Sequence, residues 1–254
     1  MRHRLTAFFE SVGEVGTFGF RAIRDAFRPP FEFKELITQI VEVGWRSCPL
    51  VIVSGFAFGV VIALETRASM MAFGAQAMIP EAVSLGIFRD TGPLITALLV
   101  AGRAGAGIGA QLAGMRVTEQ IDALETLGVD SFKYLVVTRV AACVIAIPIL
   151  TTFFNFAGVA GGMASDVIAI HMSVRLFVKD AFAAMGFGDY IPPTLKTLVF
   201  GFIIGTVSCY LGYTASHGAA GVGRASTRSV VFSSLLVILA DAILVKTIMI
   251  WLPG

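Results

Sequence analysis

The residues able to do chemistry in this 254-residue chain are few, and their spacing excludes most kinds of it. His3, His171 and His217 are scattered, and Cys48, Cys143 and Cys209 sit in separate apolar runs with no CxxC or Cys/His spacing. A zinc site or a disulfide frame needs closely spaced ligands or paired cysteines, so no metal and no disulfide is expected. No Gly-Lys pair occurs in the chain, so it lacks the Gly-x-x-x-x-Gly-Lys-Ser/Thr loop that cradles nucleotide phosphates. Without a clustered acid or histidine motif, no catalytic residue and no cofactor is expected.

What remains is charge in unusual places. Arg89 and Asp90 stand beside Thr91-Gly92-Pro93 in an apolar run that also holds Arg103, and Asp241 and Lys246 interrupt another. An ionisable group in lipid is costly unless it faces protein, water or a polar ligand. Arg89 and Asp90 are therefore either a contact for a polar ligand group or a structural ion pair fixing a kink at Pro93. Asp241 and Lys246 are five residues apart, roughly 140° round a helix, so they are not expected to pair directly. Lys246 is expected to snorkel towards the nearer interface.

A second group lies between two apolar runs, at residues 116–130. Thr118 can cap a short helix, Glu119 and Asp122 suit its positive end, and Gly128 can supply a left-handed stop. Ile121, Leu124 and Leu127 form an apolar ridge at a spacing of three, beside the acids Glu119, Asp122 and Glu125. Such a helix fits a partner's groove, or it is a solvated loop helix resting its apolar side on the bilayer. The residues alone leave both readings open.

The elements that must position these groups are membrane helices. The chain is 56% hydrophobic and 14% charged, and its mean hydropathy is +0.84. A soluble domain carries about 25% charged residues, so water is not its main solvent. The formal charge of +2 is too balanced for a nucleic-acid protein. A bilayer core needs roughly 20 apolar residues in helix, because each backbone amide must be satisfied within its own segment. The expected fold is an all-α integral membrane domain of about five transmembrane helices. The spans fall at 33–64 (an elbow helix leading into the apolar 47–64), 85–115, 134–165, 194–216 and 229–252. The third and fourth are uncharged over 140–165 and 197–216.

Residues 1–30 repeat Leu5, Phe8, Val12, Val15, Gly19 and Ala22 at helical spacing, which predicts an amphipathic helix along the interface. The 170–190 stretch keeps the same spacing at Ile170, Val174, Phe177, Ala181 and Met185, which predicts a second helix lying on the membrane at the opposite side. No signal peptide and no tandem repeat is seen, so 1–254 reads as one domain. Arg2, Arg4, Arg21, Arg24, Arg28, Lys34, Arg46, Arg116, Lys133, Arg139, Arg224 and Arg228 fall on the N-terminal side of the spans, against Arg67, Arg175 and Lys179 on the other. That bias predicts a cytoplasmic N-terminus. Gly102, Gly105, Gly107 and Gly109, alternating with alanines, and the Gly55/Gly59 pair are read as helix-packing positions. Arg103 among them should face protein or the cytoplasmic interface.

The 114–130 stretch, with Ala101-Gly102-Arg103-Ala104-Gly105 before it, resembles the signature of the MlaE/YrbE permeases. The resemblance runs from Arg89-Asp90-Thr91-Gly92-Pro93 to Gly221-Val222-Gly223-Arg224-Ala225-Ser226-Thr227-Arg228, with Asp90 where family members often carry Glu. It implies the permease subunit of an ATP-driven lipid transporter: a homodimer with five spans per subunit, served by a separate ABC ATPase, an MCE-domain lipid-binding protein and a small STAS-type accessory subunit. It places the chain in the bacterial inner membrane with phospholipid as the expected substrate. By the same resemblance Glu119, Gln120, Asp122, Leu124, Glu125 and Leu127 form the ATPase-coupling helix. Ile62, Met70 and Phe73, with Arg89 and Asp90, fall in the region of the lipid cavity. An ion-coupled secondary carrier using Arg89, Asp90, Asp241 and Lys246 is the alternative, although such carriers usually show two related halves.

Overall fold

The computed structural model describes the backbone of residues 2–29, 31–72, 74–183, 185–216 and 218–251, and the side chains of those from 13 onward other than 76, 249 and 251. The described residues form helices and short connections, with no strand among them. Five helical stretches are long and apolar enough to cross a membrane: Phe33–Ala72, Ile79–Val117, Phe132–Ile170, Phe187–Tyr213 and Ala219–Ile248.

An amphipathic helix, α1 (Arg2–Ala26), precedes them. The first span is α2 (Phe33–Val43), a tight turn at Trp45–Ser47 and α3 (Cys48–Ala72). The second is α4 (Ile79–Gly86), α5 (Gly92–Val100) and α6 (Ala106–Val117), joined by wide π-helical turns at Ile87–Thr91 and Ala101–Gly105. The short α7 (Gln120–Thr126) follows. The third span is a π turn at Phe132–Val137 and α8 (Thr138–Ile170), then come α9 (Val174–Ala183), α10 (Phe187–Tyr213) and α11 (Ala219–Trp251).

These helices run past the stretches that hydropathy marks. Residues 221–228, expected in a connection, are already the first turns of α11. The chain therefore reaches the fifth span through a short turn after Tyr213, with Gly218 at φ 94°. α9 is tied to α4 by Ser84 Oγ, which donates to the Ala181 carbonyl at 2.6 Å, and it buries Phe177 and Ala181 in a cluster with Phe88 and Val159. The helix expected to lie on the membrane is thus also fastened to the bundle.

Apolar burial does not hold such helices together, because lipid tails are as apolar as leucine, so close backbone approach must. A Cβ on Gly59 would lie 1.8 Å from the Gly158 carbonyl oxygen, and one on Gly55 2.7 Å from that of Phe154. The Gly55/Gly59 pair thus brings α3 onto α8. Gly105 and Gly109 seat the second span against Ser208 and Ser229, whereas Gly102 and Gly107 meet nothing within 4 Å. The core runs along α8 and α10, with Phe154, Phe200, Ile147 and Ile204 fully buried. α11 leaves Val231, Phe232, Leu235, Ile238, Leu239 and Ile243 exposed.

Candidate functional site

The π turn at Ile87–Thr91 turns Arg89 and Asp90 towards α10, where each finds a partner of its own. Arg89 Nη2 lies 2.6 Å from Asp189 Oδ1, and Asp189 Oδ2 also accepts the Gly186 N–H at 2.9 Å. Asp90 Oδ1 accepts from Lys196 Nζ at 3.1 Å. The ion pair considered between the neighbours Arg89 and Asp90 does not form, because one wide turn presents both to a facing helix. π turns inside α-helices often accompany functional positions, and this one carries two charges.

Lys196 is the centre of the cluster. Its side chain is 1% exposed, and its Nζ also lies 2.9 Å from Oδ1 of Asp241 on α11. One ammonium thus serves two carboxylates from different spans. Asp241 is mostly enclosed, but the Asp90 side chain is 59% exposed on the surface of the chain. Asp241 looks to Lys196 and away from Lys246, as the angle between the two on α11 requires. Lys246 is exposed.

A second ion pair crosses the bundle nearby: Arg67 Nη2 meets Asp166 Oδ1 at 2.5 Å and Ser165 Oγ at 3.1 Å, with Asp166 fully buried. Lys196 and Asp166 escaped the sequence reading for the same reason. Asp166 stands one residue beyond the span expected at 134–165, and Lys196 lies inside the one expected at 194–216 but one residue before its uncharged run, 197–216. The signal that finds them is an ionisable residue continuing the helical register of an apolar run.

Arg103, on the second π turn, donates to Ser47 Oγ at 2.8 Å and to the Glu42 carbonyl at 3.1 Å. It faces protein, as its place among small residues predicts. Ile62 and Met70 are partly buried against Ala63, Ile79, Val83 and Ile87 between α3 and α4. Phe73 lies outside the described residues. Among the described residues no group of three His, Cys, Asp or Glu could hold a metal ion.

At the other end of the bundle, α7 begins at Glu119, whose φ of 57° is left-handed, a conformation costly for a residue with a side chain. Thr118 does not cap the helix. Its hydroxyl donates back to the Gly114 carbonyl at 2.9 Å, because residue 118 still closes the last turn of α6. Gly128, at φ 77°, supplies the left-handed position that follows the helix. The apolar ridge divides: Ile121 is fully buried, Leu124 is half-buried and Leu127 is 78% exposed. Arg116 pairs with Asp122 at 2.7 Å, and Ser131 Oγ donates to Glu125 Oε1 at 2.6 Å. Glu119, Gln120, Asp122, Ala123, Glu125, Thr126 and Leu127 are exposed.

The model of the family described as permease MlaE matches residues 36–247. A probable ABC transporter permease protein of Rickettsia felis is 39% identical over 243 residues, covering 96% of this chain and 94% of its own length. Proteins with the same description from Synechocystis sp. and Porphyra purpurea are 32% identical over 242 residues and 34% identical over 196. They cover 94% and 77% of this chain and 91% and 74% of their own lengths.

Proposed function

Because this chain belongs to the MlaE permease family, and is thereby a multi-pass membrane permease subunit of an ABC transporter, we propose that it moves lipid. In this reading two copies enclose a cavity for a phospholipid. A separate ATPase docks on α7 through Glu119, Gln120 and Leu127, aided by Asp122, Leu124 and Glu125. An MCE-domain protein exchanges lipid at the far side, a small STAS-type subunit accompanies the ATPase, and the complex sits in a bacterial inner membrane with the N-terminus cytoplasmic.

The observation that carries this reading is Asp90. Its carboxylate is mostly exposed on a helix otherwise apolar enough to span a membrane, beside a buried lysine. A carboxylate facing hydrocarbon is costly, so the surface around it must be covered by another polypeptide or by a polar, water-bearing space. A cavity between two copies supplies both. Its outer-half polar lining would receive a headgroup at Arg89 and Asp90, and apolar side chains such as Ile62, Met70 and Phe73 would receive the tails. The bare face of α11 offers the surface for a second copy.

The test is affinity purification of the detergent-solubilised protein, wild type against Glu119→Lys/Leu127→Asp, scored for a co-purifying ATPase and for lipid by mass spectrometry. Wild type is expected to retain both, and the double variant to lose the ATPase and keep the lipid. Absence of an ATPase from wild type, together with substrate movement down an ion gradient, would favour the ion-coupled carrier.

A further inference from the structure

At seven residues α7 is too short to hold its own position, so its place is set by what ties it to the bundle. One tie is local: Arg116 to Asp122, at the end of the second span from which α7 emerges. The other is not. Ser131 Oγ, on a residue 2% exposed, donates to Glu125 Oε1 at 2.6 Å and lies 2.9 Å from the hydroxyl of Tyr213, the last residue of α10. The Tyr213 hydroxyl is itself 3.4 Å from Glu125 Oε1. Three hydrogen-bonding groups from three parts of the chain thus close a triangle behind α7.

The triangle is backed by aromatic rings. Phe18 of α1 meets Phe132 edge-on with centroids 5.0 Å apart, and Tyr210 at 5.6 Å. Phe132 meets the Tyr213 ring at 6.3 Å, and the Arg21 guanidinium lies 4.1 Å from the centre of the Phe132 ring. Tyr210 also donates to Glu14 of α1. The amphipathic helix α1 is therefore wedged against the same junction.

From Tyr213, α10 runs back to Lys196 without a break. The 17 steps from residue 196 to residue 213 correspond to about 26 Å of continuous helix at 1.5 Å per residue. A displacement of α7 relative to the second span must pull on the Glu125–Ser131–Tyr213 junction. A helix transmits that pull along its length better than a loop can.

We propose that Ser131 and Tyr213 are positioning residues that fasten α7 to the fourth span, so that movement of α7 reaches the Asp90–Lys196–Asp241 cluster through α10. In this assignment the exposed Glu125 serves the fastening as well as lying on the face offered to the partner. The proposal rests on the reading above only in naming an ATPase as the source of the movement.

The first measurement needs no partner: amide hydrogen exchange in the detergent-solubilised chain. Tyr213→Phe and Ser131→Ala are expected to speed exchange across Gln120–Thr126 by about five-fold, the scale of one hydrogen bond. Thr214→Val, which removes a neighbouring hydroxyl that donates to the Tyr210 carbonyl, is expected to leave it unchanged. Equal exchange in wild type and both fastening variants overturns the proposal whether or not an ATPase binds.

The second measurement uses the complex with its co-purifying ATPase in phosphatidylethanolamine and phosphatidylglycerol vesicles carrying a fluorescent phospholipid. The fastening variants are expected to keep the ATPase and its KM for ATP, and to move roughly five-fold less lipid per ATP hydrolysed. Ser131→Thr, which keeps the hydroxyl, should recover the wild-type ratio. An unchanged ratio in both fastening variants overturns the proposal. A wild-type chain that shows the exchange pattern but recruits no ATPase contradicts the proposed function and leaves the fastening intact.

Discussion

The charges at the two ends of this bundle are held in different ways. Near α7 and at the start of the first span the ion pairs are local and wet: Arg116 with Asp122, and Arg46 with Glu42. Within the apolar spans they are long-range and mostly dry: Lys196 with Asp90 and Asp241, Arg67 with Asp166. Near water a local pair adds little to what solvent already supplies. In a low-dielectric interior an unpaired charge costs far more, so a partner is needed wherever the fold can bring one. The difference teaches which charges are ornaments of a helix surface and which decide how the helices assemble.

The largest effect should come from breaking the dry cluster. Lys196→Met leaves two carboxylates facing each other without a cation and is expected to cost about 3–5 kcal/mol of stability. Labelling of Cys143 and Cys209 in a Cys48→Ser background reports unfolding directly, since both thiols are fully buried. Adding Asp90→Asn and Asp241→Asn to Lys196→Met should recover most of the loss. If Lys196→Met alone unfolds like wild type, the contrast between wet and dry pairs fails.

A smaller effect separates packing from charge. Gly59→Ala places a methyl group against the Gly158 carbonyl and should cost about 1–3 kcal/mol by forcing α3 from α8, read by the same thiol labelling. Gly107→Ala, which meets nothing within 4 Å, should be neutral in the isolated chain. Destabilisation of both alike would mean that a covered surface at Gly107, and not the α3–α8 contact alone, governs the outcome.

The smallest effect belongs to the wet pairs. Arg116→Ala is expected to change stability by about 0.2–1 kcal/mol and to lose even that in high salt. A cost as large as that of Lys196→Met would show that α7 is held chiefly by Asp122, and would weaken the role given to Ser131 and Tyr213.

Much of this was legible beforehand because membrane helices satisfy their own backbone. The apolar runs announce the spans one by one, the Gly55/Gly59 spacing announces a close contact, and Gly128 announces the end of α7. Thr118 shows where local reasoning misleads: a good capping residue in the right place continues the preceding helix instead, and the chain turns at Glu119. Lys196 and Asp166 were hidden by their position at the ends of uncharged runs. Nothing in one helix says which charge on another will face it.

The amino-acid sequence by itself determined that this is an all-helical membrane protein of about five spans with a short acidic helix between the second and third. Period, length and composition are properties of single segments, and the bilayer reads each segment separately. Only the tertiary structure decided that Lys196 joins Asp90 to Asp241, that Arg67 meets Asp166, and that the exposed Glu125 reaches Ser131 and Tyr213. Those partners stand 45 to 106 residues apart or meet across a turn, and which helices lie side by side has no one-dimensional period to read.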